Sequence, residues 1–329
     1  MSRTITSPFH LESVGQGTPP VVLIHGFGAN GRFWRKWIPR LSSDHEVHTL
    51  DLMGFGRSAT PPGGDYSPMA QARHLVEYLR RFGNHPPVVI GHSLGAGIAV
   101  AATLRLMDEG GAWTPGGLVL ISGAIYPQKL PPFLGLAQLP LVGELFLLGR
   151  PPRFAFRWGL QTIVHDRASL DRDLVDTYRD PLRSLRRRRA ILRAARQVST
   201  REGAQLAHRL PEIRIPSLVI WGEEDRVIPP EVAHRLHGDL PESELVLLPK
   251  VGHLPPEEAA EASLAPVLEF LARRKGARRV AGGRGIGGDA RQGASGPELP
   301  RPGTKPGSQG SDTRDLSGPE APEGGPLPS

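Results

Sequence analysis

The sequence predicts an α/β protein built on a mostly parallel, doubly wound sheet, with a helical cap inserted late in the sheet and a disordered C-terminal tail. Three observations predict this architecture: short apolar runs, stretches of helical spacing between them, and one long region where the alternation stops. Parallel strands that are covered on both faces are apolar throughout, as these runs are. Alternation of such strands with helices favours a doubly wound sheet.

The predicted strands are bounded by turn-forming residues and lie, in chain order, at 21–24, 46–52, 88–90, 118–121, 218–221 and 245–248. The stretches between them have the length and apolar spacing of helices. These predicted helices lie at 33–41, 69–82, 94–107, 230–236 and 257–274. Strand and helix thus alternate on both sides of one long interruption.

The interruption and a change of composition divide the chain into four predicted segments. Residues 1–123 and 212–275 are the two parts of the α/β core. Residues 124–211 have helical spacing with proline breaks, and an insertion of that length is a sub-domain and not a loop. Residues 276–329 contain 14 Gly, 8 Pro and no aromatic residue. Such a segment cannot bury enough apolar area to offset its chain entropy, so we predict a disordered tail there.

Composition excludes several classes of chemistry and location. The chain has no Cys, which removes disulfides, cysteine nucleophiles and thiolate metal sites, and we predict no metal and no cofactor. The first residues lack the apolar core of a signal peptide, and no stretch reaches the ~20 apolar residues of a spanning helix. We therefore expect a cytoplasmic protein with no stable membrane insertion. Composition leaves the oligomeric state open.

A net charge of +7 over 329 residues is small, and no recognition motif accompanies it, so we expect no nucleic-acid partner. The basic residues are densest within the predicted cap, at Arg183, Arg186, Arg187, Arg188, Arg189, Arg193 and Arg196. A solvated face explains this run most simply. An anionic substrate group or a membrane surface beside the cap is the alternative.

The pentapeptide Gly91-His-Ser-Leu-Gly95 follows the predicted strand at 88–90 and precedes a helix of small residues. This is the strand–turn–helix context that gives G-x-S-x-G its meaning. The turn at Ser93 is so tight that only small residues fit two positions before and after it, and both glycines supply that room. The Ser93 hydroxyl should then project at the carboxyl edge of the sheet, where open α/β folds bind ligands.

The turn His25-Gly-Phe-Gly28 ends the first predicted strand and can direct backbone N–H groups into the same cleft. An acyl-transfer enzyme needs two donors for its oxyanion. We predict that one is the N–H of Leu94, directly after the nucleophile, and that the other is the N–H of Phe27.

These motifs, in this order, resemble the α/β-hydrolase fold family in its cap-bearing serine hydrolase branch, across nearly all of residues 18–275. The loop Asp51-Leu-Met-Gly-Phe-Gly-Arg-Ser58 is similar to the family's D-x-x-G-x-G-x-S loop, and we expect Asp51 to build that turn. The resemblance implies an esterase-like fold and a Ser-His-Asp triad.

Two further stretches supply the remaining triad positions. Val251-Gly-His253 resembles the family's histidine loop, with Pro255 and Glu258 after it, and His253 lies in the required chain order after serine and acid. Glu223, Glu224 and Asp225 all follow the predicted strand at 218–221, so residue type alone leaves three candidate acids. The resemblance to the family's G-x-x-D turn places Asp225 at the acid position.

The predicted substrate contacts are residues beside the nucleophile and large apolar residues of the cap: His25, Gly26, His92, Phe133, Phe146 and Trp158. The two histidines are expected to pack or orient loops and not to act as the base. An apolar cap over the cleft suits a small to medium hydrophobic ester.

Serine as nucleophile argues against the haloalkane dehalogenase and epoxide hydrolase branches, which need a carboxylate. The leading interpretation is therefore a serine carboxylesterase that forms an acyl-enzyme on Ser93. A carbon–carbon bond hydrolase, a thioesterase or amidase, and a pigment ester hydrolase are alternatives that use the same side chains. A ligand receptor with slow or absent turnover is the alternative from outside the enzymes.

Overall fold

The computed structural model describes residues 7–127, 135, 137–139, 141–149, 152–198 and 200–283. Its centre is a seven-stranded sheet in the order β1-β3-β2-β4-β5-β6-β7. The strands are β1 His10–Val14, β2 Val21–Ile24, β3 Val47–Asp51, β4 Val88–His92, β5 Gly117–Ile121, β6 Ser217–Gly222 and β7 Ser243–Leu248. Only the β1–β3 pair is antiparallel among them. This confirms the predicted fold class.

Side chains of successive residues in β2 enter different layers of the core. Val21 and Leu23 pack into the cluster on one face of the sheet, and Val22 and Ile24 pack into the cluster on the other. All four are completely buried. Because the side chains of a strand alternate between faces, a strand covered on both sides must be apolar throughout, which is the pattern that predicts it.

The first strand, β1, is not predicted by that pattern. It lies at the edge of the sheet, and its residues are half-buried or exposed. A strand covered on one side only has no continuous apolar run, so it carries a weaker signal in the sequence.

Helices cover both faces of the sheet and form the insertion. They are α1 Ile38–Leu41, α2 Pro68–Leu79, α3 Leu94–Asp108, α4 Val142–Leu148, α5 Arg153–Gln161, α6 Arg172–Arg179, α7 Leu185–Gln197, α8 Thr200–Arg209, α9 Glu231–Asp239, α10 Pro255–Glu258 and α11 Ala260–Gly283. Single 3₁₀ turns occupy Gly31–Trp34, Arg80–Phe82, Arg167–Ser169, Asp180–Arg183 and Leu210–Glu212.

Two of the predicted helices, at 33–41 and 257–274, differ most from the structure. The helix predicted at 33–41 is a 3₁₀ turn followed by α1, because Pro39 lacks a backbone N–H and fits only the first turn of a helix. The helix predicted at 257–274 breaks at Ala259, which has φ −138°. Its second part, α11, runs eight residues beyond the predicted boundary at 275 and ends at Gly283. The Ala- and Arg-rich start of the Gly/Pro-rich segment favours a helix locally. Residues 284–329 lie outside the described residues, so the tail there stays a prediction.

The insertion between β5 and β6 forms the cap, whose described helices are α4 to α8. It is tied to the segment after β2 by polar contacts. The side-chain amide of Asn30 donates to the carbonyl of Thr177 at 2.8 Å. Arg32 pairs with Asp173 at 3.4 Å and Arg35 pairs with Asp171 at 2.6 Å. The cap therefore rests on the loop that follows the first buried strand. None of the helices in the described part of the chain is both long and apolar enough to cross a bilayer.

A buried carboxylate lies beside this junction. Glu257 is 1% exposed, forms an ion pair with Arg35, and lies 3.3 Å from Nζ of Lys36. Burial raises the pKa of Glu257 to about 7, although both cations lower it. The folded state therefore favours the protonated carboxyl more strongly than the unfolded chain does.

This shift predicts a pH-dependent effect of Glu257→Gln on stability. The stabilising contribution of Glu257 is full below its ordinary pKa of 4.5 and is lost as the pH rises through about 7. The shift corresponds to about 3 kcal/mol between these limits. The free energy of unfolding is measured in urea at pH 5 and pH 8. From pH 5 to pH 8, the wild type should lose about this much stability relative to Glu257→Gln. The exposed control Glu261→Gln should follow the wild type. If wild type and Glu257→Gln differ in free energy of unfolding by the same amount at both pH values, the raised pKa of Glu257 is contradicted.

Candidate active site

The turn between β4 and α3 has the geometry of a strained nucleophile position. Ser93 has φ 52° and ψ −116°, a conformation that non-glycine residues rarely adopt. A Cβ at Gly91 would lie 2.5 Å from the carbonyl oxygen of Gly95, and a Cβ at Gly95 would lie 2.4 Å from that of Ile24. Both glycines are therefore required by close backbone contacts. The turn leaves Ser93 half-buried at the carboxyl end of β4.

The imidazole of His253 connects the serine to a carboxylate. Its Nε2 lies 3.2 Å from Oγ of Ser93, within reach of the hydroxyl proton. Its Nδ1 lies 2.8 Å from Oδ2 of Asp225. The side chains of His253 and Asp225 are 6% and 0% exposed, so water does not compete for the second bond. The structure thus brings together the three residues that the sequence predicts for the triad.

Backbone donors orient the carboxylate of Asp225. Its other oxygen, Oδ1, accepts the N–H groups of Val227 at 2.8 Å and Ile228 at 2.9 Å. Glu223 and Glu224, the two competing candidates, are exposed and form no described contact with His253. The tight turn after β6 therefore selects Asp225 by direction and not by residue type.

The loop of His253 is held by a second carboxylate, that of Glu258. Its Oε2 accepts the N–H of Gly252 at 3.0 Å and its Oε1 accepts the N–H of Leu254 at 3.0 Å, one on each side of His253. The cap joins this arrangement at two points. The N–H of His165 donates to Oε2 of Glu258 at 2.7 Å, and the N–H of His253 donates to the carbonyl of Ile163 at 2.8 Å. The cap thus helps to fix the backbone of His253, which carries the imidazole.

Glycine at position 252 permits this close contact. A Cβ there would lie 2.7 Å from the backbone nitrogen of His165 and 2.8 Å from the carbonyl oxygen of Ile163. Glu258 is predicted only through the resemblance to the family's histidine loop, and its cap contacts are not predicted from the sequence. These backbone partners are far apart in the chain, and no spacing of residue types in the sequence predicts such contacts.

His25 and His92 have orienting contacts and are both completely or almost completely buried. Nδ1 of His25 lies 2.7 Å from the carbonyl oxygen of Gly26, which makes it the donor, while Nε2 accepts the N–H of Leu52 at 3.0 Å. Nε2 of His92 donates to the carbonyl of His253 at 2.8 Å. Burial lowers the pKa of His25, and burial together with His253 lowers that of His92 further. Both rings are therefore neutral supports for the loops.

The loop after β3 has the structural role expected from its sequence. Oδ1 of Asp51 accepts the N–H of Gly31 at 2.7 Å, and Oδ2 accepts the N–H of Arg57 at 2.6 Å. Gly56 has φ 48°, and a Cβ there would overlap the Asp51 carboxylate. Asp51 thus uses one oxygen within its own loop and the other to hold the segment after β2.

Of the two predicted oxyanion donors, Leu94 directly follows Ser93 in the chain, and Phe27 follows Gly26, which lies next to Ser93. Leu94 is the first residue of α3, so its N–H has no acceptor within the helix. Phe27 is half-buried in the turn after β2. The ring of Phe27 also contacts the cap cluster of Ala137, Leu192 and Ala195. The site is thus bordered by apolar cap residues that the sequence analysis does not single out.

The remaining predicted substrate contacts are distributed unevenly. A Cβ at Gly26 would lie 2.8 Å from Nδ1 of His92 and 3.1 Å from Cβ of Ser93, so this glycine is next to the nucleophile. Trp158 is 72% exposed on α5, and no described contact brings it to the triad. Phe133 lies outside the described residues, and of Phe146 only the backbone within α4 is described. Among the described residues, no cluster of His, Asp and Glu is suited to hold a metal ion.

Comparison with known proteins gives a family and several relatives. The model of the alpha/beta hydrolase family matches residues 21–266. An uncharacterized hydrolase, YugF, from Bacillus subtilis (strain 168) is 29% identical over 262 residues, which cover 80% of this chain and 92% of that protein. Lipase 3 from Moraxella sp. (strain TA144) is 27% identical over 252 residues, covering 74% of each chain.

Two further similarities concern another activity and the fold. The 2-hydroxy-6-oxononadienedioate/2-hydroxy-6-oxononatrienedioate hydrolase from Burkholderia vietnamiensis (strain G4 / LMG 22486) is 28% identical over 272 residues, covering 80% of this chain and 91% of that protein. The crystal structure of an alpha/beta hydrolase fold protein from Burkholderia ambifaria has a TM-score of 0.70 at 26% identity, covering 79% and 93%.

Gly95→Ala should destabilise the protein because the new methyl group would overlap the carbonyl oxygen of Ile24. Overpacking of a rigid core costs about 1–3 kcal/mol. Thermal unfolding measures the loss, and Gly238→Ala is the matched control because a Cβ at that helical position meets nothing within 4 Å. Equal melting temperatures for the two variants would contradict the steric account of the turn.

Glu258→Gln should lower kcat on a p-nitrophenyl ester while leaving KM nearly unchanged. The substitution replaces one accepting oxygen with an amide nitrogen that faces backbone N–H groups, so the backbone on either side of His253 loses a fixed position. Small misplacements of a catalytic group cost up to about 10²-fold in rate. Exposed Glu261→Gln is the control. A variant with wild-type kcat would remove Glu258 from the positioning of His253.

Proposed function

The chain belongs to the alpha/beta hydrolase family, and from that premise we propose that it is a serine hydrolase that cleaves carboxylic esters of small to medium hydrophobic substrates. One observation carries the proposal: Oγ of Ser93 and Oδ2 of Asp225 lie 3.2 Å and 2.8 Å from the two nitrogens of the same imidazole. A hydroxyl that can pass its proton to an oriented base is a nucleophile at neutral pH.

The reaction begins with the transfer of a proton. Nε2 of His253 takes the proton of the Ser93 hydroxyl as Oγ forms a bond to the ester carbonyl carbon, and the carbonyl electrons move to its oxygen. The N–H groups of Leu94 and Phe27 stabilise that oxyanion. Asp225 holds Nδ1–H and stabilises the imidazolium. When the tetrahedral intermediate collapses, the imidazolium gives its proton to the departing alkoxide, and an acyl-enzyme remains.

Water completes the cycle by the same steps. Nε2 of His253 removes a proton from water, and the resulting hydroxide attacks the acyl carbon. The second tetrahedral intermediate collapses with release of the carboxylic acid, and Oγ of Ser93 regains its proton from the imidazolium. No other group is required to move a proton. The buried, neutral rings of His25 and His92 keep the loops in place throughout.

Apolar residues beside the nucleophile support a hydrophobic substrate. The ring of Phe27 contacts Ala137, Leu192 and Ala195 of the cap, so this border of the site is apolar. Burial of this apolar surface against an acyl chain stabilises the complex with the substrate. The similarity to Lipase 3 of Moraxella also supports a hydrophobic substrate.

Cleavage of a carbon–carbon bond is the second candidate, and one observation favours it. The similar protein from Burkholderia vietnamiensis is named for the hydrolysis of 2-hydroxy-6-oxo dienedioates. The sequence favours the ester for two reasons. The segment 252–258 lacks the Trp that we expect near the histidine of such hydrolases, and the first loop contains Gly26-Phe-Gly-Ala and not the Gly-Pro-Gly type expected for them. Assay of a 2-hydroxy-6-oxo dienoate beside an ester separates the two activities.

Substitution of the triad should abolish ester hydrolysis. We expect kcat/KM on p-nitrophenyl esters to rise from acetate to longer acyl chains, and to fall by about 10³-fold or more in Ser93→Ala, His253→Ala and Asp225→Asn. The exposed Ser13→Ala is the control for loss of a serine hydroxyl. Unimpaired turnover in Ser93→Ala or His253→Ala would contradict the proposal. Turnover of the dienoate alone would replace the ester by the second candidate.

A further inference from the structure

The positive charge of the chain is concentrated in its cap. Residues 124–211 contain 16 Lys and Arg against 7 Asp and Glu, whereas the other 241 residues contain 24 against 26. The net charge of +7 therefore comes from the cap alone. A charge asymmetry of this size points to an anionic partner for that part of the molecule.

Ion pairs neutralise most acidic residues of the cap and leave arginines in excess. Carboxylates pair with arginines at Asp171–Arg35, Asp173–Arg32, Asp176–Arg153, Asp180–Arg183 and Glu144–Arg196. Other arginines bond to uncharged groups. Arg157 donates to the carbonyl of Leu170, and Arg187 donates to the carbonyls of Phe55 and Ser58 at 3.2 Å and 3.1 Å. Among the described contacts, Arg157 has no carboxylate partner, whereas Arg187 also interacts electrostatically with Asp51.

One helix of the cap, α5, has two opposite apolar faces. Phe156 and Leu160 are one turn apart and pack into the core cluster that includes Val251 and Leu254, the neighbours of the His253 loop. Phe154 and Trp158 are also one turn apart but are 76% and 72% exposed. Positions two apart on a helix point in nearly opposite directions. The second face therefore has no packing partner among the described residues.

The exposed aromatic pair has an arginine next to each ring position on the same helix. Arg153 and Arg157 precede Phe154 and Trp158 by one residue each. Arg153 forms an ion pair with Asp176, so the positive charge without a described carboxylate beside the aromatic stripe is that of Arg157. Other large apolar side chains of the cap are exposed too: Leu139, Leu141, Leu145 and Leu185. Outside the cap, the exposed large apolar residues of the described chain are Val14 and Trp113.

We propose that the outer face of α5, formed by Phe154 and Trp158 with the arginines around them, docks on an anionic lipid surface. Aromatic residues on one face and arginines beside them are the composition of helices that lie in the headgroup region of a bilayer. Aromatic rings contribute apolar burial there, and each basic residue near an anionic surface adds about 1 kcal/mol. The proposed contact is peripheral and needs no spanning helix.

Charge argues against a second copy of this chain as the occupant. A symmetric dimer through the outer face of α5 would bring two caps of the same net positive charge together. Like charges placed opposite each other disfavour such an interface. An anionic bilayer has the opposite charge and an apolar interior for the aromatic rings, so it fits both properties of the face.

The position of α5 links this surface to the proposed ester hydrolysis, and this step rests on the proposed function. The inner face of α5 packs into the core cluster that contains Val251 and Leu254, and the carbonyl of Ile163, just after α5, accepts the N–H of His253. A helix with its side chains is about 10 Å across. A lipid surface on the outer face would therefore lie about one helix diameter from the loop of the base. The substrate class that follows is an ester held in or released from lipid.

Vesicle binding tests the surface without using turnover. Full-length Ser93→Ala protein is sedimented with vesicles of phosphatidylglycerol and phosphatidylcholine, and separately with vesicles of phosphatidylcholine alone. We expect binding to the anionic vesicles, weak binding to the neutral ones, and weaker binding as NaCl rises, because salt screens exposed charges. Phe154→Ser and Trp158→Ser should each weaken partitioning about tenfold. Trp113→Ser, at an exposed Trp outside the cap, should leave partitioning unchanged.

Each other outcome overturns the proposal. Absence of vesicle binding does so, and so does equal binding of Ser93→Ala protein with and without the added Phe154→Ser and Trp158→Ser substitutions when their melting temperatures agree. If the wild type is a dimer, the Phe154→Ser/Trp158→Ser double variant is a monomer and vesicles are not bound, the face is assigned to a second copy of the chain. Because Ser93→Ala is used throughout, loss of vesicle binding is distinguished from failure of the proposed hydrolase activity, which the ester assay measures separately.

Discussion

The site depends on the position of one imidazole, that of His253, which must contact a hydroxyl on one side and a carboxylate on the other. A ring in a loop is held in one place only if the backbone around it is bonded. The N–H of His253 itself and the N–H groups of both neighbouring residues donate to fixed acceptors, two of them to Glu258 and one to the carbonyl of Ile163 in the cap. The cap is therefore part of the support of the base.

The sheet provides the other half of the geometry. Parallel strands end at one edge, so the turns after β4 and β6 and the loop after β7 meet there although they are far apart in the chain. The strained conformation of Ser93 persists because Gly91 and Gly95 allow backbone contacts that a side chain would prevent. Strain at this position has a cost, on the order of 1–3 kcal/mol, which the surrounding core offsets.

The sequence predicts those parts of the fold and of the site whose pattern is local in the chain. Buried strands such as β2 are predictable because both faces require apolar residues, and Ser93 is predictable because its turn needs glycine at fixed offsets. Trp158 shows the limit, since an aromatic residue in the cap suits a substrate pocket, whereas its helix turns it to the outside. The contacts of Glu258 with His165 join loops far apart in the chain, and such contacts have no pattern in the sequence.

Labelling by a fluorophosphonate probe tests the central claim most directly, because the probe bonds only to a serine whose hydroxyl is activated by a base. We predict one phosphonyl group per chain, mapped by mass spectrometry to the peptide containing Ser93, and no such adduct in His253→Ala. Labelling of another residue, or labelling at an unchanged rate without His253, would contradict the account in which the imidazole activates the serine.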